Sequence, residues 1–229
     1  MEYLELGKVV LDLGPDMEAG NPRNSEGTFL ETEKDGIIFV YSRFRGNDPA
    51  DHAYADLCLM RSMDGGRTFD EGEIILTCDG EEGVNMMSPS LLRMGNGDIG
   101  LFYLVRITYD VTRIFLRRSV DGGRTWGERV CCSTYDYFFV INNDRVLRTS
   151  SGRIVIPAAA HRAYKGILDS RPDTVFFLSD DDGITWRVSM GKCSLPQSSH
   201  CAAGLQEPGV VELGNGVLWA WARTELGRQ

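Results

Sequence analysis

Arginines, carboxylates, amides and one histidine recur in this chain at one kind of place, just before an apolar run begins or just as the next one ends. Arg23 and Arg43 bracket the first such pair of runs, Asn85 and Arg106 the second, Asn143, Asp144, Arg145 and His161 the third, and Glu207 and Arg223 the fourth. Charge gathered at strand ends is costly unless it is paired or solvated. One explanation is a ring of structural ion pairs. The other is a pocket for an anionic sugar, where the planar fork of guanidinium suits a carboxylate.

The elements that would gather these residues are β-hairpins. A first unit runs through apolar strands at Gly27–Glu31 and Ile37–Tyr41 with a turn at Asp35-Gly36, then Ala55–Met60 and Glu73–Leu76. A second repeats it with Ser90–Met94, a turn at Asn96-Gly97, Ile99–Val105 and Arg113–Arg117. The third has Arg145–Arg148, Ser151-Gly152, Ile154–Ile156 and Val175–Leu178. A fourth begins with Val210–Leu213, turns at Asn215-Gly216 and runs from Val217 to Ala222. Lys8–Leu13 reads as one further strand, and no helix is demanded anywhere.

Three of these units share a turn of the form Ser-x-Asp-x-Gly-x-Thr-aromatic, at Ser62–Phe69, Ser119–Trp126 and Ser179–Trp186. The Asp is expected to accept backbone N–H groups across the turn, Gly to take the left-handed position, and Ser and Thr hydroxyls to satisfy the rest. The Trp or Phe is expected to pack under the next sheet. Spacings of 57 and 60 residues between the three serines mark a repeat architecture. Four-stranded antiparallel units at this period are blades of an all-β propeller. Three and a half blades do not close a ring. The chain is therefore expected to be the N-terminal portion of one longer propeller domain, with Lys8–Leu13 in the last blade and exposed blade edges prone to association. In such blades the start of the first strand and the end of the second share a rim, so the bracketing residues should crowd one face around the axis.

Bulk properties narrow the function. A net charge of −9 over 229 residues argues against nucleic acid as a partner, which needs a basic face. It leaves room for an anionic small substrate held by a few arginines. Six cysteines without C-x-x-C spacing give no support to zinc or redox chemistry and read as reduced, mostly buried thiols. No metal or cofactor is expected. The acidic start Met1–Glu5 is unlike a signal peptide and no run spans a bilayer, so membrane insertion is not expected and the default compartment is cytoplasmic.

The Ser-x-Asp turns resemble the Asp boxes, or neuraminidase repeats, of the sialidase superfamily of six-bladed propellers. The likeness runs from about Arg23 to Gln229. More specific is Leu205-Gln206-Glu207-Pro208-Gly209-Val210-Val211-Glu212-Leu213 with the returning strand to Arg223, where Glu207 and Arg223 match a sialidase Glu and Arg. The resemblance implies an exo-glycosidase removing a terminal sialic acid or similar carboxylated sugar with retention. Arg23 and Arg223 would be two of three arginines on the substrate carboxylate. Asp51, with Asp48 as the alternative, would be the acid/base. A Tyr would be the nucleophile in place of the usual carboxylate, and Glu207 would draw off its proton. The third arginine and that Tyr are expected in later blades, since none of the tyrosines here matches the position. Arg23-Asn24-Ser25-Glu26-Gly27 departs from the family's Arg-Ile-Pro. Arg43, Asn143, Asp144, Arg145 and His161 are expected as further substrate contacts. The alternatives are a non-catalytic carbohydrate-binding or scaffold propeller, and a hydrolase or lyase for another acidic sugar.

Overall fold

A computed structural model describes residues 8–32, 36–196 and 201–225. Every regular element among them is a strand. The first blade is β1 (Asn24–Glu31), β2 (Ile37–Phe44), β3 (Ala55–Ser62) and β4 (Glu73–Leu76), each antiparallel to the next. The second repeats this order with β5 (Asn85–Arg93), β6 (Ile99–Arg106), β7 (Thr112–Ser119) and β8 (Val130–Cys131). In the third, the inner strand comes in two pieces, β9 (Phe138–Val140) and β10 (Leu147–Arg148), both paired with β11 (Ile154–His161). A small hairpin of β12 (Ala163–Tyr164) and β13 (Ile167–Leu168) follows, before β14 (Asp173–Ser179) and β15 (Arg187–Val188) complete that sheet. The fourth sheet is the hairpin of β16 (Gln206–Gly214) and β17 (Val217–Arg223). These sheets are propeller blades. Of the four expected hairpin turns, the first has Asp35 outside the described residues.

Stacking of blades explains why the strands read as nearly unbroken apolar runs. On β6, Leu101, Tyr103 and Val105 pack against Ile38, Val40, Leu57 and Leu59 of the first blade. Phe102 and Leu104 on its other face pack against Phe139, Ile154, Ile156 and Phe177 of the third. Each such side chain, withdrawn from water, contributes about 1.5–3 kcal/mol.

The Asp boxes close the β3–β4, β7–β8 and β14–β15 connections, at the blade ends opposite the rim. In the second box Ser119 Oγ accepts from Gly123 N at 2.7 Å, Asp121 Oδ1 accepts from Thr125 N at 2.9 Å, and Thr125 Oγ1 donates to Asp121 Oδ2 at 2.6 Å. Phe69, Trp126 and Trp186 each cover a different core cluster. Boxes are also tied across blades. Arg61, just before the first box, donates to Gly122 O and Gly123 O of the second, and Arg118 reaches Asp182 of the third.

Two expectations are corrected. Lys8–Leu13 forms no strand ladder; it lies against the first blade through its side chains. It keeps strand-like alternation all the same: Leu11 and Leu13 pack on Tyr41, Cys58 and Met60, and Asn24 Nδ2 donates to Leu13 O at 3.1 Å. In the third blade, His161 pairs with Phe138 rather than with Asn143–Arg145. The polar run leaves the ladder and gives its hydrogen bonds to neighbouring blades instead. Of the six cysteines, Cys58, Cys78, Cys132 and Cys201 are buried and Cys131 and Cys193 exposed.

Candidate functional site

The inner strand of every blade is broken near its start by one non-glycine residue in the left-handed region. These are Glu26 (φ 50°), Ser88 (φ 57°), Asp144 (φ 56°) and Glu207 (φ 49°). The β1, β5 and β16 ladders slip register at these points, and in the third blade the break is the turn between β9 and β10. Each such backbone costs about 1–3 kcal/mol unless its surroundings hold it. Here the surroundings are the other blades. Glu26 Oε2 accepts from Ser88 N at 2.7 Å and from Ser88 Oγ at 3.0 Å. Asp144 N donates to Pro89 O at 3.0 Å, and its Oδ1 accepts from Thr28 Oγ1 at 2.8 Å. Asn143 Nδ2 donates to Gly27 O at 2.7 Å, and Arg145 N to Ser90 Oγ at 3.1 Å. The fourth blade joins through Arg145 Nη1, which donates to Glu207 O at 3.0 Å.

This mesh carries two ion pairs on the rim. Arg23 lies over the Phe44 ring and donates to Asp51 Oδ1 at 2.5 Å and to Pro49 O at 3.1 Å. Arg223 grips Glu207 bidentately, Nε to Oε2 at 2.8 Å and Nη2 to Oε1 at 2.7 Å. Arg145 stands beside the second pair with its guanidinium 5.5 Å from the Trp221 ring. Gly209 makes room for that ring, since a Cβ there would lie 2.2 Å from it. The hydrogen bond from Arg223, together with the charges of Arg223 and Arg145, holds the Glu207 carboxyl below its usual range. The pair thus favours the ionised carboxylate.

Arg23, Asp51, Asn143, Asp144, Arg145, Glu207 and Arg223 are thus joined in one hydrogen-bonded belt through the inner strands. Arg43 and His161 stand apart from it. Arg43 follows Tyr41 on the face of β2 opposite Phe44, close enough to Tyr41 and Cys58 to favour their ionised forms. His161 is 5% exposed, edge-on to Phe138. Its Nδ1 lies 2.8 Å from Asp169 O and must carry the proton, which leaves the buried Nε2 without a hydrogen bond. Asp48 pairs with His52 at 3.4 Å on the loop that also holds Asp51.

Sequence reasoning passed over Glu26 and Ser88. Burial raises the Glu26 carboxyl, while Ser88 and Arg23 draw it down and Asp51 pushes it up. The available signal was the acid three residues after Arg23, in a segment too polar for a plain inner strand. Tyr103 is the tyrosine that donates to a glutamate, Glu81, at 2.9 Å. It is fully buried and its phenol is pushed up by burial, so that pair is a structural tie with Arg117 and Arg129, not a nucleophile.

Known proteins share this architecture. The BNR repeat-like domain matches residues 54–229. Sialidase-3 of Rattus norvegicus is 31% identical over 127 residues, which is 50% of this chain and 29% of that protein. The Hadza microbial sialidase Hz136 superposes with a TM-score of 0.70 at 20% identity, covering 92% of this chain and 44% of the other. A leech intramolecular trans-sialidase, solved with 2,7-anhydro-Neu5Ac, superposes at 0.68 and 13% identity, covering 97% and 50%. The chain thus spans half or less of the length of each of these relatives. With Asp boxes in three successive blades and this match over most of its length, the chain belongs to the BNR repeat-like family within the sialidase superfamily.

Proposed function

We propose that this chain carries residues of a site for a terminal carboxylated sugar, in an exo-glycosidase of sialidase type. The observation that supports the reading most is the pairing of each arginine with an acid on one rim, Arg23 with Asp51 and Arg223 with Glu207. In this reading the two guanidiniums turn from their internal partners to the substrate carboxylate. Asp51, released from Arg23, takes up a proton from solvent and passes it to the leaving oxygen as the glycosidic bond breaks and the nucleophile bonds to the same carbon; water then displaces the nucleophile and returns a proton to Asp51. Glu207, ionised in its resting pair, accepts the proton of the nucleophile. Asn143, Asp144 and Arg145 hold the two halves of the rim in register.

A second reading rests on the geometry of the same Arg223–Glu207 pair. Arg223 spends two of its donors on Glu207, and a guanidinium so engaged has less to offer a substrate. That favours a propeller that binds glycans, or scaffolds, without turnover.

Kinetics on a fluorogenic sialoside and a panel of uronic-acid glycosides separates the two. Arg223→Ala is expected to raise KM, losing a charge-assisted contact of about 2–5 kcal/mol. Glu207→Gln is expected to lower kcat with little change in KM, because it keeps the shape and removes the base. Unchanged turnover in Glu207→Gln would refute its role. Absence of cleavage of every acidic glycoside would favour the binding reading.

A further inference from the structure

A cleft of about 460 Å3 opens between the first and second blades, beside the loop that carries Asp51. Arg45, Asp48, His52, Tyr54, Arg106 and Tyr109 stand in its wall. Most of the charge there is already matched. Arg45 donates to Asp79 Oδ2 at 2.5 Å and lies 3.4 Å from Asp56, and His52 faces Asp48.

Arg106 is different. It ends β6, where its backbone carbonyl accepts from Val84 N at 3.1 Å. Its guanidinium carbon lies 5.3 Å from the Phe138 ring centre and 5.8 Å from that of Tyr109. Among the described residues it forms no ion pair, and its buried Nε has no hydrogen-bond partner. Aromatic faces hold such a cation in place but leave its in-plane donors open. A half-buried guanidinium with unused donors, fixed at a cleft wall, is a receptor for a planar or tetrahedral anion. Tyr54 and Tyr109, 51% and 72% exposed, line the same cleft; an arginine lies over one face of each ring, Arg45 over Tyr54 and Arg106 over Tyr109, and the opposite faces are of the kind that stack on sugars.

We propose that this cleft binds a second, anionic sugar unit, carboxylated or sulfated, with Arg106 taking the anion and the two tyrosines the ring. The proposal rests on the reading of the rim as a glycan site and narrows it. The preferred glycan then carries negative charge on two units, the terminal one at Arg23 and Arg223 and the other at Arg106.

Isothermal titration of the 229-residue chain tests this without relying on turnover. The probes are sulfated lactose, a galacturonate disaccharide and plain lactose. An anionic probe is expected to bind at least about tenfold more tightly than lactose, to lose about tenfold in Arg106→Ala, and to weaken in Tyr109→Ala. For sulfated lactose, which has a single anionic unit, Arg223→Ala is expected to leave binding unchanged. Should Arg106→Ala unfold, Arg106→Gln keeps the stem and the same loss is expected. The idea is overturned if the anionic probes bind no better than lactose, if Arg106 variants bind them as wild type does, or if binding disappears with Arg223 instead. Failure of the rim reading shows separately, as acidic glycosides left uncleaved while the probe still binds through Arg106.

Discussion

Glu26 and Glu207 occupy the same backbone seat in the first and fourth blades, yet their carboxyls shift in opposite directions. Glu26 is half-buried and its acceptor bonds from Ser88 do not offset the lost water, so its pKa is raised. Glu207 is met by a bidentate arginine and its pKa is lowered. The consequence for stability follows by linkage. A raised carboxyl contributes stability that is fully present below its unfolded value near 4.3 and is lost as pH rises through the folded value. Replacing Glu26 by Gln removes that dependence. Urea unfolding at a series of pH values from about 4 to 8 should therefore show wild type losing ground to Glu26→Gln as pH rises. Parallel curves would mean that Glu26 carries its proton no longer in the fold than in the unfolded chain.

The Asp boxes are the elements in which chain and chemistry agree most closely. Hydrogen bonds from the Thr side chain and backbone hold Asp64 and Asp181 down to about 2, and Asp121 is lowered by the same pattern. Their contribution is present above the ordinary value near 3.9 and is lost as pH falls through the folded one. Acid titration should accordingly unfold the protein below about pH 4, and a triple Asp→Asn variant should lack most of that transition. Arg118 fastens one box to the next through Asp182. Its removal is expected to cost about 1.5–3 kcal/mol, read as a lower urea midpoint with unchanged slope. These turns were legible because each spells out its own hydrogen bonds within eight residues. The hairpins were legible from their alternation and their Gly-containing turns. Short outer strands such as Val130–Cys131 were not, because two residues carry no period. Nor was the break in the third inner strand, where Asn143, Asp144 and Arg145 bond to residues more than 50 positions away. At the site, Arg23, Asp51, Glu207 and Arg223 could be placed on one rim by hairpin geometry alone. Glu26 could not, because its burial is made by the second blade.

At the scale of the molecule, the fourth hairpin is left with an apolar face in water. Val211, Val217, Trp219 and Trp221 share that face by register, with Trp219 60% and Trp221 43% exposed. Sedimentation at rising concentration is expected to show self-association of the 229-residue chain, and Trp219→Lys to reverse it. A monomer at all concentrations would mean the face tolerates water. The four left-handed seats have a longer reach. Glutamate, serine, aspartate and glutamate fill them in turn, so what the four units have in common at this seat is a bend of the backbone and not a side chain, and the chemistry offered there is free to differ from blade to blade.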